Sequence, residues 1–147
     1  MPLRLVIAPD HYSLIEERDG AWAELALLSG GAATLLAPTG ALDDRSLEAA
    51  IEIAEDWLMP HAARLRDRVL DVDDTTARIH SGLEDVLSVT AREWNVEGIE
   101  QLSLQLVDMA TGRRARRALQ GQQAFVADVL LLRELAHHGQ LHEIRLG

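Results

Sequence analysis

The 147-residue sequence contains neither cysteine nor lysine, and each absence excludes a kind of chemistry. Without cysteine there are no disulfides, thiolate zinc sites, iron–sulfur clusters or cysteine nucleophiles. Without lysine there is no Schiff-base amine and no P-loop lysine to bind phosphates. Aromatic residues are also scarce, and the tryptophans are expected to anchor the core or an interface: Trp22, Trp57 and Trp94.

Long hydrophobic runs are missing as well. The longest apolar stretch, residues 125–132, is interrupted by Asp128 and falls far short of the roughly 20 residues that a membrane span needs. The apolar run before Pro9 is shorter than the core of a signal peptide. The sequence therefore predicts no membrane association and a cytoplasmic location. Its length predicts a single domain over residues 1–147.

The net charge of −10 is distributed unevenly along the chain. Residues 1–112 carry a net charge of −13, whereas residues 113–147 carry +3. An acidic surface argues against nucleic-acid binding, because such binding depends on cations that neutralise phosphates. The negative charge fits a solubilising surface and a basic protein partner equally well.

The first third of the chain has the patterns of strands and turns. Alternation over residues 3–7 predicts a strand that ends at a turn beginning with Pro9. Asp19-Gly20 separates two further runs, residues 12–17 and 21–28. This arrangement favours a β-hairpin over one continuous helix, since glycine adopts the positive φ of a tight turn.

Two helices are predicted from periodicity and end signals. The first begins at Asp43 or Asp44, either of which can cap a helix, and kinks or restarts at Pro60 before continuing toward Arg68. The second covers about residues 122–138 and is apolar almost all round, which is typical of a helix buried on several sides. In a domain of this size, such burial favours a core together with a subunit interface. Gly139 suits the left-handed residue after the helix end.

The remaining segments are assigned less directly. Residues 33–37, 69–73, 77–80 and 142–146 are predicted as short strands, and residues 83–94 as a helix capped by Ser81. The segment 99–110 fits a strand and a helix, of which we favour the strand. Together these assignments predict an α+β fold: an antiparallel sheet packed against two or three helices, with an apolar C-terminal helix.

One group of side chains has the residue types of a metal site: His137, His138, His142 and Glu143. Their spacing matches no established metal motif. Histidines near the carboxyl end of a helix also interact favourably with its dipole while exposed to solvent. We favour this interpretation and assign no metal and no cofactor.

A basic patch stands out in the otherwise acidic chain: Arg113, Arg114, Arg116 and Arg117. Arginine side chains suit phosphates and carboxylates. The patch lacks the interleaved aromatics that stack on single-stranded bases. A solvated turn, or pairing with the acidic face of a neighbouring subunit, is therefore favoured over nucleic-acid binding.

Acidic and glycine-rich groups are interpreted structurally. Residues 71–74 resemble the start of a calcium loop but lack its glycine and its bidentate glutamate, so we expect a turn. Residues 29–31 are too short to cradle a phosphate. An exposed stripe on the first helix accounts for three acids: Glu52, Glu55 and Asp56.

No catalytic motif is present, and no catalytic residue is assigned. The sequence therefore favours a non-enzymatic accessory or protein-interaction domain that recognises its partner through an acidic face. We expect it to form a homo-oligomer, a dimer in the simplest case. The alternative is a small enzyme or ligand-binding domain whose site combines scattered histidine, acidic and arginine side chains, with His11, Tyr12 and His61 as candidates.

Overall fold

A computed structural model of the protein describes residues 2–112 and 116–147, with only the backbone of Arg116. In this part of the chain the strands are β1 (Leu3–Ala8), β2 (His11–Arg18), β3 (Ala21–Ser29), β4 (Val69–Asp74), β5 (Glu93–Trp94) and β6 (Glu143–Leu146). The α-helices are α1 (Ala32–Leu35), α2 (Asp44–Leu58), α3 (Arg78–Leu87), α4 (Val96–Thr111) and α5 (Gln123–Gly139). Two 3₁₀ helices cover Met59–Arg64 and Arg116–Leu119.

The strands form one mixed sheet in the order β3-β2-β1-β4-β6-β5. The β1–β2, β2–β3 and β5–β6 pairs are antiparallel, whereas the β1–β4 and β4–β6 pairs are parallel. The α+β class is thus confirmed, but the predicted antiparallel sheet is wrong. The chain reaches β4 and β6 through helical segments, and such crossovers let a strand return parallel to its neighbour.

The predicted first strand and the hairpin after it are both present. Asp19 and Gly20 link β2 to β3 with φ angles of 52° and 80°. Two consecutive positive φ angles are the geometry of the two-residue turn whose twist matches that of the flanking strands. The alternative of one helix through this region is therefore wrong.

Two predicted short strands are helical instead. Residues 33–35 of the first fall on α1, and residues 78–80 of the second fall on the start of α3. The carboxylate of Asp74 accepts hydrogen bonds from the backbone N–H groups of Thr76 at 2.9 Å and Ile79 at 2.8 Å. With Asp74 as its cap, α3 begins earlier than the predicted helix capped by Ser81. It also ends before Trp94, the predicted last residue.

The predicted strand at 99–110 is also wrong, because this segment is the centre of α4. Asn95 caps the helix by accepting a hydrogen bond from the N–H of Gly98 at 2.8 Å. The side chains buried on α4 follow helical spacing and not alternation: Ile99, Leu102, Ser103, Leu106 and Ala110.

The helix predicted from Asp43 or Asp44 is confirmed as α2. Asp43 accepts a hydrogen bond from the N–H of Ser46 at 2.9 Å, and the Ser46 hydroxyl accepts one from the N–H of Asp43 at 3.0 Å. This reciprocal pairing satisfies two amides that the helix start leaves free. Pro60 falls in the first turn of the following 3₁₀ helix, where its missing N–H costs no helical hydrogen bond.

The helix α5 occupies the middle of the structure and contacts each of the other four α-helices. Its apolar side chains are buried within one chain, and Leu131 is 0% exposed. A subunit interface is therefore not needed to explain them. The left-handed residue after α5 is Gln140, with φ 50°, and not Gly139 as predicted. Gly139 instead permits close packing, since a Cβ there would lie 2.6 Å from Leu65 Cδ1.

The face of the sheet opposite α5 is more open. Arg4, Val6 and Ile15 alternate with fully buried strand residues and remain partly exposed. Trp22 is 42% exposed, and the Arg4 guanidinium lies 4.5 Å from its ring centroid. Trp22 therefore lies outside the core, whereas Trp94 is buried in it.

Within residues 2–112 and 116–147, every helix is too short or too polar to cross a membrane.

Because Leu131 is core, Leu131→Glu is expected to unfold the protein and not to yield a folded monomer. An unpaired carboxylate at this position would cost several kcal/mol. Circular dichroism and size-exclusion chromatography measure both outcomes. Leu104→Glu on α4 is the matched control, since Leu104 is 48% exposed. A folded, soluble Leu131→Glu protein would contradict the assignment to the core.

Candidate functional site

A groove opens where β1 and β4 end. These strands are parallel neighbours, so the turn after Ala8 and the turn after Asp74 lie at the same edge of the sheet. Ligands of sheets with parallel strands commonly bind at this edge. An inner cavity of about 160 Å³ is lined by Pro9 and Arg78, among others.

An outer cavity of about 720 Å³ adjoins the inner one and is lined by Arg117, among others. Three residues line both cavities: Pro38, Gly121 and Gln123. We call the two cavities together the arginine groove. The outer cavity lies within the size range of small-molecule sites.

Arg78 is the cation of the inner cavity, and a buried acid holds it in place. Asp128 of α5 is 0% exposed and accepts hydrogen bonds from Arg78 Nε at 2.6 Å and Nη2 at 2.9 Å. Tyr12 of β2 donates its hydroxyl to Asp128 Oδ1 at 2.5 Å. An arginine side chain has five N–H donors, of which Asp128 uses two. The guanidinium thus keeps donors for a ligand in the cavity that it lines.

Asp128, Arg78 and Tyr12 form a hydrogen-bonded triad, and burial changes the pKa of each. Burial raises the pKa of Asp128 to about 6, although the hydrogen bonds and charge of Arg78 oppose that change. Burial and the charge of Asp128 raise the pKa of Tyr12 well above its usual range, so the phenol stays protonated and donates. Burial lowers the pKa of Arg78, but the hydrogen bonds and charge of Asp128 outweigh it, and Arg78 stays charged.

The turn after β4 positions Arg78 at the start of α3. Thr75 donates its backbone N–H at 3.0 Å and its hydroxyl at 2.7 Å to the carbonyl of Ile7, which ties this turn to β1. Ala77 adopts a left-handed conformation with φ 59°. Together with the cap at Asp74, this bend directs the first residue of α3 toward the groove.

The glycine pair after β3 lies against the turn between β1 and β2. Gly30 donates its N–H to the carbonyl of Asp10 at 2.8 Å. Gly31 has φ 58°, and a Cβ there would approach His11 N to 2.9 Å. These glycines therefore act by close backbone packing beside the groove, a role that the sequence motif did not suggest.

The outer cavity lies between the start of α5 and the loop before α2. Gln123 donates its Nε2 to the carbonyl of Gly40 at 2.9 Å, while its buried Oε1 accepts no hydrogen bond from the described residues. Arg117 is exposed at the rim of this cavity.

The structure brings few of the sequence candidates into the groove. Of the basic patch, Arg117 lines it, whereas residues 113–115 and the Arg116 side chain lie outside the described residues. Tyr12 belongs to the triad, but His11 faces the other side of β2 and pairs with Asp10 at 2.8 Å. His61 lies in the 3₁₀ helix after α2.

The four side chains with the residue types of a metal site do not all come together. His138 contacts Glu55 and Glu134, while His142 and Glu143 line a different, shallow cavity beside β5. His137 is exposed. The other acids lie apart from the groove or support it: Glu52 and Asp56 are exposed on α2, Asp71 and Asp73 lie on β4, and Asp74 caps α3.

Sequence reasoning missed Arg78 and Asp128. The available signal was Asp128 itself, an acid that interrupts an apolar helix. A buried carboxylate needs a partner, because removing an unpaired charge from water is costly. The identity of that partner, 50 residues away, is given by the tertiary structure.

No protein-family model matches the chain, and no curated protein matches it significantly. Solved structures do match it. A Ppx/GppA family member from Aquifex aeolicus has a TM-score of 0.64 at 11% identity, over 99% of this chain and 51% of that one. The Ppx/GppA phosphatase type II variant from the same organism gives 0.66 at 10% identity, over 99% and 52%.

An exopolyphosphatase from Cytophaga hutchinsonii matches with a TM-score of 0.65 at 14% identity, over 100% of this chain and 53% of that one. This chain has a Ppx/GppA-like fold. It spans about half the length of these solved structures.

The Ppx/GppA-like fold corrects the functional prediction. The sequence favoured a non-enzymatic protein-interaction domain with an acidic recognition face, whereas the matching structures are phosphatases and exopolyphosphatases. That prediction is wrong. The findings favour its alternative, an enzyme or ligand-binding domain with a site assembled from scattered residues.

The raised pKa of Asp128 predicts how stability depends on pH. In the folded protein the carboxyl keeps its proton up to about pH 6, and in the unfolded chain only to about pH 4. Its contribution is therefore complete below pH 4 and is lost as the pH rises to 6. The change is at most about 3 kcal/mol.

Urea unfolding of wild type and Asp128→Asn between pH 4 and 7 measures this contribution. We expect the stability of wild type relative to the variant to fall across pH 4 to 6. A difference that is constant or grows with pH would contradict it.

Proposed function

We propose that this chain binds phosphoanions in the arginine groove and forms the phosphate-binding part of a phosphatase-type enzyme acting on polyphosphate. The observation that carries the proposal is Arg78, a fixed and charged guanidinium at the carboxyl ends of β1 and β4. The Ppx/GppA-like fold supports the choice of phosphoanions among the anions that arginine binds.

The groove has chemistry suited to a phosphate chain. Arginine presents planar, paired donors that match phosphate oxygens. Arg78 lies in the inner cavity and Arg117 at the rim of the outer one, so the two cations are spread along one groove. A polymer with a charge on every unit can contact both arginines, whereas a single phosphate meets one.

Within such an enzyme the residues have separate roles. Arg78 would stabilise the charge on the phosphoryl oxygens, which is the main contribution of a protein to phosphoryl transfer. Asp128 is buried, and its two oxygens are bound to Arg78 and Tyr12, so it acts as a positioning residue and not as a base. The pre-formed Asp128–Arg78 pair keeps the guanidinium in place before a ligand arrives.

Three further predictions from the sequence stand as proposals: a single domain, a dimer and a cytoplasmic location. The apolar side chains of α5 are buried within the chain, so this helix does not supply a dimer interface. The exposed Trp22 and Leu27 on β3 are the better candidates for self-association, since β3 is an edge strand of the sheet.

The groove is tested by the binding of long-chain polyphosphate, measured by calorimetry at low salt. The double variant Arg78→Gln/Asp128→Asn removes both charges together and so leaves no buried charge unpaired. We expect it to fold and to lose at least about tenfold in affinity, the size of a charge-assisted hydrogen bond. Arg117→Gln should weaken binding several-fold.

Arg66→Gln is the matched control, because Arg66 is exposed near the amino end of β4, at the opposite edge of the sheet. It removes the same charge and should leave the affinity unchanged. Equal losses in Arg66→Gln and Arg117→Gln would indicate a general effect of charge and would contradict a site in the groove. Phosphate release from polyphosphate with Mg²⁺ present then tests for hydrolysis.

A further inference from the structure

Three side chains converge between the carboxyl-terminal turns of α2 and α5. The Nε2 atom of His138 lies 3.0 Å from Glu55 Oε1 and 3.1 Å from Glu134 Oε2. The three atoms lie within 4.8 Å of one another. Glu134 and His138 are four residues apart on α5 and so share one face of it, while α2 supplies the third group.

Glu134 is unusual among these groups, because it is 0% exposed. Its Oε1 accepts a hydrogen bond from Arg133 Nη1 at 2.5 Å. Its Oε2 is also buried, yet it accepts no hydrogen bond from the residues that the structure describes. A buried carboxylate oxygen that accepts no hydrogen bond is costly. This oxygen is directed at the point where the three side chains meet.

The histidine cannot satisfy both acids. One ring nitrogen carries at most one proton, and one N–H donates a well-aligned hydrogen bond to one acceptor. Here the same nitrogen faces two carboxylates at similar distances. A cation at the centre would instead interact with the nitrogen lone pair and with both oxygens.

The local charge favours a cation as well. Glu55, Glu134 and the nearby Glu100 carry three negative charges against one positive charge on Arg133, which lies 3.5 Å from Glu100. The sum is −2 when His138 is neutral. Glu55 and His138 lie in the last turns of α2 and α5, and the free carbonyls of helix ends add partial negative charge.

We propose that Glu55, Glu134 and His138 bind one divalent transition-metal ion, with Zn²⁺ the best match. Two carboxylates and one imidazole are a donor set that zinc accepts at bond lengths of about 2.0–2.2 Å. Ligand atoms at such bond lengths are separated by about 2.8–3.6 Å in octahedral or tetrahedral geometry. The distances from His138 to both acids already fall in this range.

This site is separate from the arginine groove. Glu134 follows Asp128 by six residues, which places it about 9 Å further along α5 and about 120° around its axis. The ion would join α2 to α5 and neutralise the buried Glu134. Its binding should therefore stabilise the fold and need no phosphoanion.

The experiment is a calorimetric titration of metal-free, untagged protein with Zn²⁺, together with thermal unfolding with and without the ion. We expect one ion per chain and a higher Tm that EDTA reverses. Replacing Zn²⁺ with Co²⁺ should give visible absorption bands from the bound ion. His138→Gln and Glu55→Gln should each lower the affinity at least about tenfold, since a loss of outer-shell partners alone costs that much.

Two controls separate this site from adventitious surface binding. His137→Gln changes the neighbouring exposed histidine, and Glu52→Gln changes an exposed acid one turn earlier on α2. Both should bind Zn²⁺ as wild type does. The proposal is overturned if wild type takes up no Zn²⁺, or if His137→Gln weakens binding as much as His138→Gln does. Glu55 and His138 are partly exposed, so their variants are expected to fold.

Discussion

Asp128 is a buried acid on α5, the helix that the rest of the structure packs around. Its ion pair with Arg78 constrains both the fold and the groove. Through this acid, α5 is bound to the start of α3 and, through the Tyr12 hydroxyl, to β2. Leaving such a charge unpaired costs about 3–5 kcal/mol. The sheet edge, the turn after β4 and α5 must therefore take up their native positions together. The same constraint fixes a guanidinium beside the inner cavity before any ligand arrives.

The helix α5 buries a second acid, Glu134, on another of its faces. Asp128 is satisfied by groups from two other elements, whereas one oxygen of Glu134 has no hydrogen bond among the described residues. Asp128 and Arg78 therefore form a satisfied ion pair, whereas the unsatisfied oxygen of Glu134 supports the proposed cation site. The two acids therefore mark the two proposed sites on one helix, the arginine groove beside Asp128 and the cation site at Glu134.

The similarity to solved structures shows the fold of this chain. Similarity to the Ppx/GppA structures covers nearly the whole of this chain but about half of theirs, at 10–14% identity. Because one fold can host unrelated functions, the function is decided by the residues of the site. The arginine groove lies where the carboxyl ends of parallel strands predict a site, and its chemistry is given by Arg78 and Arg117.

The sequence by itself determined the elements that depend on local signals. The Asp19-Gly20 turn, the cap at Asp43 and the apolar stretch of α5 each correspond to an element of the structure, because backbone geometry, capping and burial act within a few residues. Tertiary contacts decided the rest. Residues 99–110 fit two periodicities, and packing against α5 selected the helix. The direction of the strands and the composition of the groove depend on groups that are distant in the sequence, such as Arg78 and Asp128, which lie 50 residues apart. No local pattern encodes which distant side chain compensates a buried charge.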